Sequence, residues 1–391
     1  MVTRTKTLAL QGIETTPVDV EVMISSGLAS FNIVGLPDNA VKESKERVRA
    51  TLSALGISLP AKRITVNLSP ADVLKSGSHY DLPIAAALLV ALGAMPSDSL
   101  ENSLFMGELS LDGRLNAVKG ALPGAICAQA IGMESVFVPS INAPEAAWAG
   151  DVDVFGLATI KDLIAHTKGD EVLTPARPGK ADDLPAEILD FADIKGQDMA
   201  KTAAEMAAAG GHNLALAGPP GAGKSMTAKR ITGLLPPLSS QEALEVSLIH
   251  SVADGLQKGL ITQRPFRSPH HSASAVALCG GGHNAKPGEV SLAHRGVLFL
   301  DELPEFASKV LEPLRQPVED GVITISRANH HVTYPARFQL VAAMNPCKCG
   351  YLGDPARACS QAPLCSEKYL SKISGPLLDR FDLKVSVPAV E

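Results

Sequence analysis

The sequence predicts an α/β protein of two domains, an α+β domain followed by a unit built on a parallel sheet. Three observations predict it. Short apolar runs bounded by Gly and Pro alternate with stretches of helical period. In the second half, residues 214–217, 297–300 and 338–343 are apolar almost throughout, as strands covered on both faces are. Between the halves the texture changes. Gly169, Pro175, Pro178, Gly179, Asp182 and Asp183 fall in a stretch with little hydrophobic period, which reads as a linker over 168–187. The expected domains are therefore 1–167 and 188–391.

In the first domain, residues 18–24 and 64–68 alternate with a strand period. Residues 38–55 carry apolar side chains at helical spacing among Lys, Glu and Arg, and 83–92 read as a nearly all-apolar helix inside a core. There is no internal repeat. A length of 391 residues suits two or three domains, and 46% hydrophobic with 19% charged residues is a globular balance. A net charge of −6 excludes a uniformly basic nucleic-acid coat but leaves room for a local basic channel. No apolar run approaches the roughly 18 residues of a membrane span, and the N-terminus lacks a signal-peptide core. A cytoplasmic location is expected.

Gly218-Pro219-Pro220-Gly221-Ala222-Gly223-Lys224-Ser225 is a complete G-x-x-x-x-G-K-S between a predicted strand and a predicted helix. Its glycines let the backbone curl so that successive N–H groups face phosphate oxygens at a helix N-terminus. Lys224 would reach the β/γ-phosphates and Ser225 would ligate Mg²⁺. Downstream, 297–300 deliver Asp301 and Glu302 at a strand's C-terminal end. Asp301 would hold Mg²⁺ through water, and Glu302 would orient and polarise the attacking water. These pieces together predict an NTPase.

With those motifs in place, residues 188–387 resemble the AAA+ ATPase core, in the magnesium-chelatase-like branch that also includes the MCM helicases. The stretch Phe191 to Gln197, with Ile194 and Gly196, resembles the segment lying against adenine. Ala342-Ala343-Met344-Asn345-Pro346 resembles sensor 1, which puts Asn345 near the γ-phosphate and the attacking water. Gly375-Pro376-Leu377-Leu378-Asp379-Arg380-Phe381-Asp382 resembles the arginine-finger segment, so Arg380 is expected to reach a neighbouring subunit's site, most simply in a homo-hexamer. An ion pair of Arg380 with Asp379 or Asp382 is the other reading. The resemblance also implies that the 322–334 insert, a hairpin turning at 328–330, projects into the ring pore and grips DNA. Arg267, Lys286, Arg327 and His330 suit phosphate contacts; a solvated hairpin serving subunit contacts is the alternative. Residues 280–288 read as a mobile loop. His270 and His271, adjacent in an extended segment, should face opposite ways, which favours structural or nucleotide-sensing roles over a metal.

Two of six cysteines, Cys127 and Cys279, read as buried thiols. Cys347, Cys349, Cys359 and Cys365 cluster within nineteen residues and could form a tetrahedral Zn²⁺ site. Unligated or redox-labile thiols are the alternatives.

The first domain resembles the Lon-protease-like (ribosomal S5 domain 2-like) fold through Asp81-Leu82-Pro83-Ile84-Ala85-Ala86, residues 107–114 and Lys119-Gly120-Ala121-Leu122-Pro123. The positions matching the protease serine and lysine are Ile84 and Pro123, neither of which can attack a carbonyl or accept a proton. Ser78 and Lys75 are the nearest substitutes. The domain is expected to be proteolytically dead and to serve assembly or substrate binding.

The whole arrangement is similar to the ComM/YifB family, which implies an ATP-driven DNA motor, a hexameric branch-migration helicase acting in recombination during natural transformation. A magnesium chelatase motor subunit, an ATP-dependent protease and a nucleotide-gated remodeller without DNA activity are the rivals. In the resembling family a helical lid bearing a second sensing arginine follows the core. The sequence stops at Glu391, just after the last expected core strand, so the lid and its arginine are expected to be absent, in a fragment or in a naturally short member, and this chain is expected to bind ATP weakly and turn over poorly.

Overall fold

The computed structural model describes residues 2–179, 189–256, 259–282, 285–327, 330–352, 357 and 359–389. The chain divides into two compact units, one of residues 1–182 with 250–260 and one of residues 183–249 with 261–391.

The first unit is a seven-stranded mixed sheet with helices packed on it. Strands β1 (Val2–Gln11) and β2 (Glu14–Ser25) form an antiparallel hairpin that pairs Val2 with Met23 and Gln11 with Glu14. There follow β3 (Ser30–Val34), α1 (Asn39–Ala54), β4 (Arg63–Ser69) and α2 (Asp81–Ala91). The rest is β5 (Ser103–Phe105), α3 (Ala121–Ala130), β6 (Ser135–Pro139), β7 (Asp153–Leu157) and α4 (Ile160–Lys168). Across the sheet the order is β3-β4-β2-β1-β5-β6-β7. Asp38 starts α1 by accepting from the Val41 amide at 2.8 Å, which satisfies one of the free N–H groups of the first turn. In α2, Leu82 to Leu89 are all buried, and Pro83 is tolerated because it sits in the first turn. The strands expected at 18–24 and 64–68 fall within β2 and β4, and the helices expected at 38–55 and 83–92 match α1 and α2 to within two residues at each end.

The expected linker differs from its sequence reading. After α4 the chain does not leave the unit at once: the Ala176 amide donates to the Val154 carbonyl at 2.7 Å and the Gly179 amide to the Pro144 carbonyl at 2.9 Å. An edge strand carries unpaired backbone groups, and this segment satisfies one of them on β7. Residues 180–187 lie outside the described residues. Residues 250–260 also belong to this unit, where the buried Glu145 carboxylate accepts from the Ser251 hydroxyl and from the Leu256 amide.

In the second unit the main elements are α5 (Asp198–Gly210), β8 (Leu214–Ala217), α6 (Lys224–Arg230), α7 (Ser240–Ala253), whose residues 250–253 count with the first unit, and β9 (Phe266–Arg267). Beyond them come β10 (Val297–Leu300), the β11 (Val322–Arg327) and β12 (His330–Pro335) hairpin, β13 (Gln339–Met344), α8 (Leu364–Leu370), α9 (Gly375–Leu378) and β14 (Leu383–Ser386). The sheet is parallel throughout, in the order β9-β10-β13-β8-β14. Its core packs Ala200, Ala204 and Ala207 of α5 with Leu214, Leu216, Phe299 and Val341. Small alanines let the helix lie close to the strands. The register pairs Ala217 with Met344 and Leu300 with Ala342, which sets the carboxyl ends of β8, β10 and β13 side by side. In open parallel sheets that end is where ligands bind. Among the described residues, no helix is long and apolar enough to cross a membrane.

Candidate active site

Each of the three central strands ends in one part of the site. After β8 the chain makes the glycine-rich loop, with Gly221 at φ 78° and Gly223 at φ 88°, and nothing lies within 4 Å of where either would carry a Cβ. That left-handed backbone suits glycine and leaves the loop's concave side open. Gly218 has a different reason: a Cβ there would stand 2.1 Å from the Val387 carbonyl oxygen, so the chain leaving β14 fits against it only without a side chain. The cleft, of about 400 Å³, is lined by residues 220–226, Asp301, Glu302, Met344 and Asn345.

Within the cleft the polar atoms are already mutually engaged. The Lys224 ammonium donates to the Gly218 and Pro219 carbonyls at 2.7 and 2.8 Å and to Asn345 Oδ1 at 3.1 Å. Burial lowers its pKa, while the nearby Asp301 and Glu302 carboxylates oppose that shift. Ser225 Oγ donates to Asp301 Oδ2 at 2.8 Å, and the Glu302 amide donates to Asp301 Oδ1 at 2.9 Å. A hydroxyl and a carboxylate within one hydrogen bond of each other, beside an open phosphate cradle, are the hard oxygen donors that Mg²⁺ takes. These residues fit ATP and Mg²⁺. Glu302 is held at φ 53°, an uncommon backbone for a residue with a side chain, at the rim of the cleft.

The structure brings Gly221, Ala222, Gly223, Lys224, Ser225, Asp301, Glu302 and Asn345 together, with Pro220 on the wall. Gly218 and Pro219 stand behind, presenting carbonyls to Lys224. Ile194 is buried and Gly196 has φ 64°, but neither lines the cleft. Their segment is tied to α6 by Arg230, which pairs with Asp193 at 2.8 Å. Arg380 also lies outside the cleft, on the chain that runs from α9 into β14, and its guanidinium pairs with Glu319 rather than with Asp379 or Asp382.

Other expected residues behave differently. Arg267 is not free for phosphate: Glu289 clamps its guanidinium bidentately at 2.5 and 2.7 Å, which offsets its charge. Lys286 is exposed, but its stretch is not an open loop. Gly280 and Gly281 pair with Pro287 and Lys286, and Tyr334 Oη donates to the Ala285 carbonyl at 2.9 Å. Arg327 and His330 pair across the end of the expected hairpin, whose turn at 328–329 lies outside the described residues. His270 and His271 do not face opposite ways. Their rings are 4.1 Å apart because the chain turns there instead of extending, and His271 Nδ1 comes within 3.4 Å of Glu302 Oε2. Cys347, Cys349 and Cys365 converge.

Sequence reasoning missed a charge network behind the site. Glu242 and Glu245 of α7 meet Arg295, with Arg264 on Glu242 and the buried His294 on Glu245 at 3.3 Å. Burial lowers the pKa of His294. The pairs to His294 and Arg295 bridge about fifty positions and that of Arg264 with Glu242 bridges 22, and no local pattern announces them.

In the first unit, Ile84 and the Pro123 side chain are buried in α2 and α3. Lys75 is buried with its ammonium on the Pro70 carbonyl, and no hydrogen bond joins it to Ser78 among the described residues.

Comparison with known proteins agrees with this geometry. The family described as "Magnesium chelatase, subunit ChlI" matches residues 190–391, and the one described as "Subunit ChlI of Mg-chelatase" matches 20–142. An uncharacterized protein of Mycobacterium tuberculosis is 49% identical over 388 residues, 98% of this chain and 76% of the relative. The competence protein ComM of Haemophilus influenzae is 46% identical over 386 residues, 97% of this chain and 75% of that protein. The uncharacterized protein YifB of Escherichia coli is 46% identical over 385 residues, covering 98% and 75%. The chain belongs to the ComM/YifB family of magnesium-chelatase-like AAA+ proteins.

Proposed function

We propose that the protein is a Mg²⁺-dependent ATPase that acts as a motor on DNA, working in the cytoplasm as a homo-hexameric branch-migration helicase in recombination during natural transformation. The observation that carries the ATPase is the alignment of three strand ends that puts Lys224, Ser225, Asp301, Glu302 and Asn345 in one open cleft. The name of the Haemophilus relative, a competence protein, supports the DNA setting. The β11–β12 hairpin, placed just before Asn345 in the chain, supports a DNA-gripping insert, with Lys286, Arg327 and His330 as its candidate contacts.

The residues divide the work. The loop amides and Lys224 bind and orient the phosphates, and Lys224 exchanges its loop carbonyls for them. Ser225 and Asp301 would hold Mg²⁺, which supplies charge neutralisation on the phosphates. Glu302 orients water, while Asn345, through its bond to Lys224, sets the polar groups of the two sides in register. Arg380 acts from a neighbouring subunit. The first unit carries no protease chemistry and serves assembly or substrate binding.

The family descriptions favour one second reading, a magnesium chelatase motor subunit. Hydrolysis and strand displacement on forked or four-way DNA, with Lys224→Ala as control, separate the readings. Stimulation by DNA together with displacement lost in the variant supports the motor. ATPase indifferent to DNA, with no DNA binding at low salt, sinks it and leaves the chelatase subunit or a remodeller without DNA activity.

A further inference from the structure

We propose that Cys347, Cys349, Cys359 and Cys365 are the thiolate ligands of a structural Zn²⁺ ion that ties the loop after Asn345 to the phosphate-binding loop. Cys347 and Cys349 follow β13, and Cys365 lies in the first turn of α8. The Cys347 and Cys349 sulfurs are 3.1 Å apart, and those of Cys347, Cys349 and Cys365 all lie within 4.8 Å of one another. Four Zn–S bonds of about 2.3 Å in a tetrahedron put the sulfurs about 3.8 Å apart, within the spread seen here. At 3.1 Å the first pair is well beyond the roughly 2.0 Å of a disulfide. Cys359 is the fourth ligand the proposal assigns, close in the chain but outside the group of three whose sulfurs lie within 4.8 Å of one another.

The surroundings are those of a metal knuckle. Cys347 is fully buried, and its carbonyl accepts from the Gly350 amide at 3.0 Å, closing a tight turn. Cys127 shows the contrast: it is packed among alanines and valines as an ordinary apolar side chain. With Cys359 as the fourth thiolate no coordination position would be left open, which makes the ion structural rather than catalytic.

The position of the knuckle gives it consequence. Gly350 stands at φ 84°, and a Cβ there would come 2.7 Å from Pro220 Cδ of the phosphate loop. On the other side, Ser366 Oγ donates to the Pro346 carbonyl at 2.7 Å, next to Asn345. The metal therefore holds a clamp that bears on both Pro220 and the Asn345 turn.

The test uses the full chain purified under reducing conditions, with metal content measured by elemental analysis and Co²⁺ as a spectroscopic probe. About one zinc per chain is expected, and Co²⁺ should give the intense absorption of a tetrahedral all-sulfur site. Cys359→Ser and Cys349→Ser, at half-buried positions, should stay folded by circular dichroism. Each should weaken metal affinity by more than the roughly 10–100-fold that outer-shell changes cost. Cys127→Ser should keep the full zinc content. A folded, reduced chain that takes up neither zinc nor cobalt overturns the proposal, as does full zinc occupancy in the Cys349→Ser/Cys359→Ser double variant. Cobalt bands of a mixed nitrogen or oxygen site would also overturn the four-thiolate assignment.

Discussion

Arg380→Ala separates folding from catalysis more cleanly than any other substitution in this chain. Its ion pair with Glu319 is half-exposed, the two side chains being 43% and 44% accessible. Pairs of that kind contribute about 0–1 kcal/mol. The backbone around it is fixed independently, because Asn213 donates to the Arg380 carbonyl at 2.9 Å and accepts no help from the guanidinium. Truncation should therefore move the thermal midpoint little. An arginine supplied in trans, by contrast, contributes about 10³–10⁵ in turnover, which is about 4–7 kcal/mol of barrier. Leaving Glu319 to reach a neighbour takes back at most about 1 kcal/mol of that, so the pair does not prevent the role. The assay is phosphate release by Arg380→Ala alone, by Lys224→Ala alone, and by the two mixed under conditions where they co-purify. Each variant should be nearly inactive. The mixture should recover activity, because some interfaces then combine an intact Lys224 with an intact Arg380. Activity of Arg380→Ala within about tenfold of the parent, or a co-assembled mixture no better than its parts, would refute the assignment.

Three further outcomes follow from the geometry. Arg47 holds the fully buried Asp81 carboxylate at 2.6 and 3.0 Å, so Arg47→Met should destabilise the first unit by about 3–5 kcal/mol in chemical denaturation. Burial pushes the Asp81 carboxyl up and Arg47 opposes it; without Arg47 the folded-state pKa rises further, so stability is lost as pH rises through that value and the deficit should shrink in acid. Glu145→Ala leaves the Ser251 hydroxyl and the Leu256 amide without their acceptor, at about 1–3 kcal/mol each, and faster hydrogen exchange over 251–256 should report it. His271→Ala should change hydrolysis by no more than about fivefold, since its contact with Glu302 is partly exposed.

How legible all this was depended on the range of the interaction. The phosphate loop is a local device, with glycines, lysine and serine in eight consecutive positions, so spacing alone exposed it. Asp301 and Glu302 were legible because they end a short apolar run, Asn345 through the resemblance of residues 342–346 to sensor 1, and a parallel sheet gathers such strand ends. Helix α1 announced itself through its apolar spacing. The misread features depend on groups that meet only after folding. Arg267 looked free until Glu289, 22 positions on, was seen to clamp it. Glu319 lies 61 positions before Arg380, whereas Asp379 and Asp382 were merely near in sequence. The two histidines were misassigned because period-2 reasoning applies to strands, and the chain turns at 271–272. The expected linker hid an edge-strand contact because Ala176 pairs through its backbone, which every residue carries.

Glu302 shows why the three strand ends must act as one. Its φ of 53° costs about 1–3 kcal/mol for a residue with a side chain, so the conformation persists only where neighbours over-determine it. Three of them are visible. Asp301 Oδ1 accepts the Glu302 amide, the Glu302 carbonyl accepts the Glu305 amide at 2.7 Å, and His271 approaches the carboxylate. Asp301 is itself fixed by Ser225 of the glycine-rich loop, and Lys224 of that loop is fixed by Asn345 from β13. A chain of short polar bonds thus runs from the aimed carboxylate, through the loop that cradles phosphate, to the third strand end. Any change in what Lys224 or Ser225 binds must alter the bonds that hold Glu302 and Asn345. That coupling is the physical requirement for an ATPase whose hydrolysis is to be felt beyond its own cleft.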